Sequence, residues 1–314
     1  MTRRNFVLGL SAFAAGGCRS LFTGAATDYD DDLTLFISDV HVSGSEPEYA
    51  YTQDKLRDFV AEVLRMNPLP RRIVFFGDLA RFHGRREDYV VAAKLLKPLF
   101  DAGIDFTMGM GNHDRHDYFF ECFPEYRKRT LVEGSMVSVA HLKDCDVLML
   151  DSLDVSAEGG RGGGAFSTAQ QEWLKKELQN WKRPVILGSH HGVDELKIGT
   201  APFAVLIRDV PQVKGYVFGH VHRWTAGWIH RHQWNGSYPV TRIASLPSLG
   251  YWGDIGWAEF RTTPERAMLT LRQNDFFYAR PVGFGENGVK ERPAVWDDIV
   301  ESHRGANCTF RLKG

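Results

Sequence analysis

Asp39, His41, Asp78, Asn112, His190, His220 and His222 are the residues of this 314-residue chain best suited to hold metal ions. They fall in five short motifs in chain order, DVH, GD, GNHD, HH and GHVH, each directly after an apolar stretch. A lone Asp-x-His or Gly-Asp says little, and an isolated histidine is more often a hydrogen-bonded core or surface residue than a ligand. Five such tips in one chain are different, and seven donors are enough for two ions. The four cysteines, Cys18, Cys122, Cys145 and Cys308, show neither CxxC pairing nor zinc-finger spacing. Any metal would therefore sit on nitrogen and oxygen, a donor set that fits ions of the Mn, Fe or Zn class.

For the tips to converge, the stretches before them must be strands. Residues 33–38, 73–76, 106–110, 147–150, 185–187 and 216–218 are short and apolar, as buried strands are. Residues 52–66 place Leu56, Phe59, Val60, Val63 and Leu64 at helical spacing, with Thr52 as N-cap and Asn67-Pro68 as the stop. A second helix is expected over residues 88–100, and Ser167 with Gln170 forms a capping box for a helix carrying Trp173, Leu174 and Leu178. Strand, polar tip and helix in repetition argue for βαβ units in an α/β fold, where ligands bind beyond the carboxyl ends of the strands. The glycines between 159 and 164 read as a flexible connection, because they lack the spacing of a phosphate-binding loop. Further short β-like runs cover residues 243–246, 257–260 and 268–271, and the stretch from Pro281 reads as a weakly packed tail.

The ordered motif set resembles the calcineurin-like metallophosphoesterase superfamily over roughly residues 33–260. The resemblance implies an α/β fold, a four-layer α/β/β/α sandwich of two mixed β-sheets flanked by helices. It also implies a dinuclear centre of divalent or trivalent ions: Asp39, His41 and His222 on one ion, Asp78 bridging, and Asn112, His190 and His220 on the other. His113 would be the outer-sphere histidine that contacts phosphate and helps the leaving group. The implied reaction is hydrolysis of a P–O ester bond by attack of metal-bound hydroxide. Two cations about 3.5–4 Å apart neutralise phosphoryl oxygens and activate water near neutral pH. The family pattern aligns His190 rather than His191 as the ligand, with Gly192-Val193 standing where prolines are common.

Other roles stay open at this stage. Asp114 either orients the His113 imidazole or caps the following helix. Arg81 and His83 either meet a substrate phosphate or carboxylate or belong to a solvated loop, and Arg115 and His116 are weaker candidates of the same kind. The aromatic stretch 224–257, with Trp224, Trp228, Trp234, Tyr238, Tyr251, Trp252 and Trp257, serves as sheet packing, as a platform for a base or sugar, or as a contact surface. His230 and His232 within it read as structural. The compact motif series resembles the cyclic-nucleotide and glycerophosphodiester phosphodiesterase branch. A phosphomonoesterase that scavenges phosphate is the alternative, and a catalytically silent metal-binding envelope protein the third reading.

Composition bounds these choices. With 38 Lys+Arg against 39 Asp+Glu, 43% hydrophobic and 25% charged residues, the chain has ordinary globular proportions, which excludes disorder, collagen and coiled coil. A net charge of −1 offers no footprint for sequence-independent nucleic-acid binding, so the expected partner is a small phosphoester, at most a nucleotide. Residues 1–24 read as an export signal: Arg3-Arg4 resemble a twin-arginine pair, and Ala-Gly-Gly-Cys resembles a lipoprotein box. Cys18 would then be a lipid anchor and the protein periplasmic or membrane-anchored; cleavage near Ala25-Ala26 is the alternative. The expected domain spans residues 30–280, followed by a tail over 281–314.

Overall fold

The computed structural model describes residues 27–154, 156, 163–197, 203, 210–228, 242–272 and 305–313. The first half runs β1 (Tyr29–Ile37), α1 (Tyr51–Arg65), β2 (Leu69–Phe75), α2 (Arg86–Asp101), β3 (Asp105–Met108), α3 (His116–Cys122) and α4 (Tyr126–Arg129). The second runs β4 (Ser138–His141), β5 (Asp146–Met149), α5 (Thr168–Asn180), β6 (Val185–Ser189), β7 (Val213–Phe218), β8 (Thr225–Trp228) and β9 (Arg242–Ser245). Three strands follow: β10 (Trp257–Thr262), β11 (Arg266–Arg272) and β12 (Asn307–Arg311).

Two six-stranded mixed sheets result, ordered β12-β11-β10-β1-β2-β3 and β4-β5-β6-β7-β9-β8. In the first, β1, β2 and β3 are parallel and β10, β11 and β12 pair antiparallel. In the second, β5, β6, β7 and β9 are parallel, with β4 and β8 antiparallel at the edges.

The period of two along the strands explains why they read as continuous apolar runs: both faces are covered. Leu33, Leu35, Ile37, Ile73 and Phe75 pack under α1 and α2. Their neighbours Phe36, Val74 and Phe76 point the other way and meet Val147, Met149, Ile186 and Val217 of the second sheet. Phe36 stacks on Phe260 with ring centroids 4.6 Å apart in this central layer. Leu148, Leu150, Val185, Leu187 and Tyr216 face outward and are covered by Leu174 and Leu178 of α5. The layers are therefore helix, sheet, sheet, helix, as the family resemblance implies, and every parallel strand ends on the same side of its sheet.

Two local expectations change. Thr52 does not cap α1, which begins one residue earlier; its hydroxyl donates to Tyr49 O and accepts from Ser43 N, tying down the loop that enters the helix. The end of the chain is no loose tail. Residues 307–311 form the edge strand β12, paired to β11 with Met268 opposite Thr309, and Cys308, Phe310 and Leu312 are buried between the sheets. The sheet core thus extends past residue 280, while residues 281–304 lie outside those described. The glycines at 159, 160 and 162 and residues 1–26, including Cys18, lie outside them too. Among the described residues no helix is long and apolar enough to cross a membrane.

Candidate metal centre

The centre forms where β1, β2, β3, β6 and β7 stop. β1 and β2 are zipped past their ends by Asp39 N–H to Gly77 O at 3.0 Å, His41 N–H to Asp78 O at 3.0 Å and Val42 N–H to Leu79 O at 2.8 Å. Asp39, His41, Asp78, His220 and His222 all have positive φ, between 51° and 66°. Left-handed backbone is uncommon for residues other than glycine and costs of order 1–3 kcal/mol each, so its concentration here marks a site that the rest of the fold holds in place. Two glycines make room. A Cβ on Gly111 would run into Asp78 Oδ1, and one on Gly219 would stand 2.8 Å from Asp39 Oδ2.

The seven expected ligands do converge. Asp39 Oδ1 lies 3.0 Å from His222 Nε2 and 3.7 Å from His41 Nε2, and those two nitrogens are 3.2 Å apart. Asp78 Oδ2 stands between the two halves of the site, 3.5 Å from His41 Nε2 and 3.2 Å from His190 Nε2. Asn112 Oδ1 and His220 Nδ1 each approach His190 Nε2 to 3.2 Å. Groups of three donors drawn from these residues lie within 4.8 Å of one another. Asp39 Oδ1 and Asp78 Oδ2 are buried and accept no directed hydrogen bond, although buried polar atoms are normally paired. Two such carboxylate oxygens facing imidazole nitrogens fit a metal centre.

Hydrogen bonds on the far side of each ring set which nitrogen is available. A carbonyl only accepts, so Phe76 O fixes a proton on Nδ1 of His190 and Trp252 O does the same for His222, turning both Nε2 atoms toward the centre. His220 is turned around: Nδ1 points inward and Nε2 faces Glu195 Oε1 at 3.5 Å. Burial holds the imidazole of His41 down to about 3 and that of His220 down to about 4, so both are neutral near pH 7. For His190 burial acts downward too, but the charges of Asp78 and Asp39 outweigh it and push it up to about 10. Burial alone would raise Asp39; the neighbouring His222 and His190 instead hold it well below the usual carboxylate range.

His113 lines the same cavity, of about 410 Å³. Its Nδ1 donates to Phe82 O at 2.8 Å, and its ring stacks on Phe82 with centroids 5.3 Å apart. Phe82 thus does the orienting that the sequence offered to Asp114. Asp114 is fully buried and accepts N–H groups of Asp78, Ala80 and Gly111 at 2.8, 3.0 and 2.9 Å and of Leu79 at 3.3 Å, plus the Tyr89 hydroxyl at 3.2 Å. It neither touches the His113 ring nor caps α3, which has no side-chain cap. Its work is to pin the tips of β2 and β3 together.

His191 is engaged through Nδ1 with Ser152 Oγ at 2.9 Å, while its ring stays beside His220 with centroids 4.7 Å apart, within reach of His190 and His220. Arg81 does not line the cavity. It is 6% exposed, with its guanidinium over Tyr49 at 3.9 Å and Tyr251 at 4.5 Å. His83 is exposed and packs edge-on to Phe82, away from the cavity lining. Arg115 bonds Asp117, and His116 bonds Asp151 at 2.6 Å. In the aromatic stretch, Trp224 is buried between the two sheets and Trp257 in the cluster under α1 and α2, and Tyr251 and Trp252 line the cavity. His230, His232, Trp234 and Tyr238 lie outside the described residues. Glu195 and Phe82 are the site residues that sequence reasoning missed, since no motif marks them, whereas Trp252 belongs to the aromatic stretch left open there as a platform.

The sequence profile of the calcineurin-like phosphoesterase family matches residues 33–224, and the chain belongs to that family. It is thus a phosphoric ester hydrolase of a metal-dependent class. It is 28% identical to a "Probable glycerophosphodiester phosphodiesterase GpdQ" of Arcobacter nitrofigilis, over 61% of this chain and 72% of the relative. It is 25% identical to a "Probable cyclic nucleotide phosphodiesterase" of Psychrobacter arcticus, over 51% of this chain and 59% of the relative. Among solved structures, TT1561 of Thermus thermophilus aligns with a TM-score of 0.45 at 10% identity, covering 73% of this chain and 94% of that one.

Proposed function

We propose that the chain is a dinuclear-metal phosphodiesterase. The observation that carries this reading is the pair of buried, unpartnered oxygens, Asp39 Oδ1 and Asp78 Oδ2, set among four inward-facing histidine nitrogens and Asn112 Oδ1. Asp39, His41 and His222 would hold one ion, Asn112, His190 and His220 the other, and Asp78 both, since its Oδ2 sits between His41 and His190. Two bound cations would draw charge from the phosphoryl oxygens and make water nucleophilic near neutral pH.

The chain's own groups do the rest. His113 holds its Nδ1 proton on Phe82 O, so Nε2 is the nitrogen that takes up a proton and hands it to a phosphoryl or leaving-group oxygen. Asp114 keeps Asp78 and Asn112 in register by binding the backbone at both tips. Preference for a diester over a monoester rests on the motif series and the named activities of the two relatives. Export and anchoring at Cys18 belong to the same proposal on the strength of Arg3-Arg4 and the box before Cys18; radiolabelled fatty acid entering the wild type but not Cys18→Ser is the check.

Steady-state hydrolysis of bis(4-nitrophenyl) phosphate beside 4-nitrophenyl phosphate, with Mn loaded and with metal stripped, tests the activity. Metal-dependent preference for the diester is expected. Preference for the monoester would make phosphate scavenging the better reading, and two bound ions with no turnover on either ester would indicate a silent binder.

A further inference from the structure

The metal centre fixes where the phosphoryl group goes but not which alcohol it carries, and the wall beside His222 narrows that choice. Trp252 is 38% exposed, the one aromatic among the exposed large apolar side chains of the described residues. Its ring lies against His222, centroids 4.5 Å apart and planes tilted by 43°, and the residue is one of those lining the cavity. Its carbonyl meanwhile accepts the His222 Nδ1 proton at 3.0 Å. Backbone and side chain therefore have separate jobs: one anchors a ligand, the other presents a face.

Tyr251 next to it presents none. That ring is 7% exposed, packed on His41 at 4.6 Å and overlaid by Arg81 at 4.5 Å. The wall thus offers a single open π-face. Quaternary ammonium groups are recognised by aromatic cages, several faces around one cation. Apart from Asp78 in the metal centre, Glu195 is the one acid among the described residues that line the cavity, and it is turned to His220. Arg223, also lining the cavity and in no ion pair with a described residue, would repel a cation further. A flat ring needs one face only, because base-on-aromatic stacking works pairwise. Arg223 is at the same time well placed to favour an anionic ester.

Building on the phosphodiesterase reading, we infer that Trp252 is a stacking subsite for a flat heteroaromatic group on the ester's alcohol, so that the site takes nucleoside phosphodiesters ahead of glycerol or choline esters. The test uses the metal-loaded full chain and its Trp252→Ala and Trp252→Phe variants. Kinetics are measured on 3′,5′-cyclic AMP and on glycerophosphocholine, and calorimetric binding on AMP and on glycerol 3-phosphate. Trp252→Ala is expected to raise KM for the cyclic nucleotide and weaken AMP roughly 10- to 100-fold. Trp252→Phe should recover most of it, with metal content and glycerol 3-phosphate binding unchanged. Equal losses on both esters, or a fall in metal content, would reduce Trp252 to a support for His222 and overturn the inference while leaving the phosphodiesterase reading intact. So would glycerophosphocholine as the better substrate of the wild type. Turnover of neither ester with both ions bound would sink the enzymatic reading, and the AMP measurement would still decide the subsite: Trp252-dependent binding keeps it, and none overturns it.

Discussion

Two buried aspartate clusters sit at opposite ends of the strands and put the same ingredients to different uses. Asp146 opens β5 on the side away from the metal centre, and both its oxygens are occupied. Oδ1 meets His141 Nδ1 at 2.9 Å and Arg183 Nε at 3.2 Å, and Oδ2 accepts Trp181 Nε1–H at 3.0 Å. Its backbone has no positive φ. Asp39 and Asp78 are just as buried and just as close to histidines, yet each keeps one oxygen unpartnered on a left-handed backbone. A buried acid beside a histidine is therefore no mark of function by itself. Unspent lone pairs held in place by strained backbone are.

The sharpest way to break that contrast is to truncate both clusters. Asp78→Ala is expected to abolish metal binding and turnover. Asp146→Ala should leave both intact while lowering stability by about 2–3 kcal/mol in chemical denaturation, the worth of hydrogen bonds to a charged group. Equal effects on activity would erase the distinction. His113→Ala comes next: full metal content with kcat lower by roughly 10²–10⁴, so that metal analysis and kinetics on one sample separate a proton-transfer role from a ligand role. Asp114→Asn replaces one carboxylate oxygen by an NH2 group, set against either the N–H groups of Asp78, Leu79 and Gly111 on Oδ2 or that of Ala80 on Oδ1. It should cost about 1–3 kcal/mol for each donor left unpaired, with metal occupancy falling as the tips separate. Unchanged melting and occupancy would contradict the pinning role.

The smallest effect concerns protons. Without the ions, Asp78 and Asp39 overcome burial and hold the His190 imidazole charged up to about 10, whereas burial keeps His41 and His220 neutral above about 3 and about 4. Binding an ion at His190 therefore displaces a proton at any pH below its own value, and affinity falls as pH falls. Calorimetric titration at pH 8 in buffers of different ionisation enthalpy should show about one proton released, traced to His190. No buffer dependence would place the charge elsewhere.

The ligands were legible because each lies within four residues of a strand end, where local apolar pattern and turn chemistry suffice. The helices were legible for the same reason: Ser167 Oγ accepts Gln170 N–H as the N-cap, although the Gln170 side chain bonds the Asp151 backbone instead of closing the capping box. What stayed hidden depends on partners far along the chain. In Asn-Cys-Thr-Phe-Arg the alternation reads as a strand only once β11 supplies an edge and the second sheet a surface for Cys308 and Phe310. Arg81 follows the Gly-Asp tip but is claimed by Tyr49 and Tyr251, the latter brought in by the loop before β10. Asp114 follows GNH yet turns back to bind a strand tip more than thirty residues upstream.

Metal content per chain, measured on the wild type, Asp78→Ala and Asp146→Ala alongside diester turnover, tests the central claim most directly. Two ions and full turnover are expected in the wild type and Asp146→Ala, and loss of both in Asp78→Ala. An Asp78→Ala protein that keeps two ions and hydrolyses the diester would contradict it.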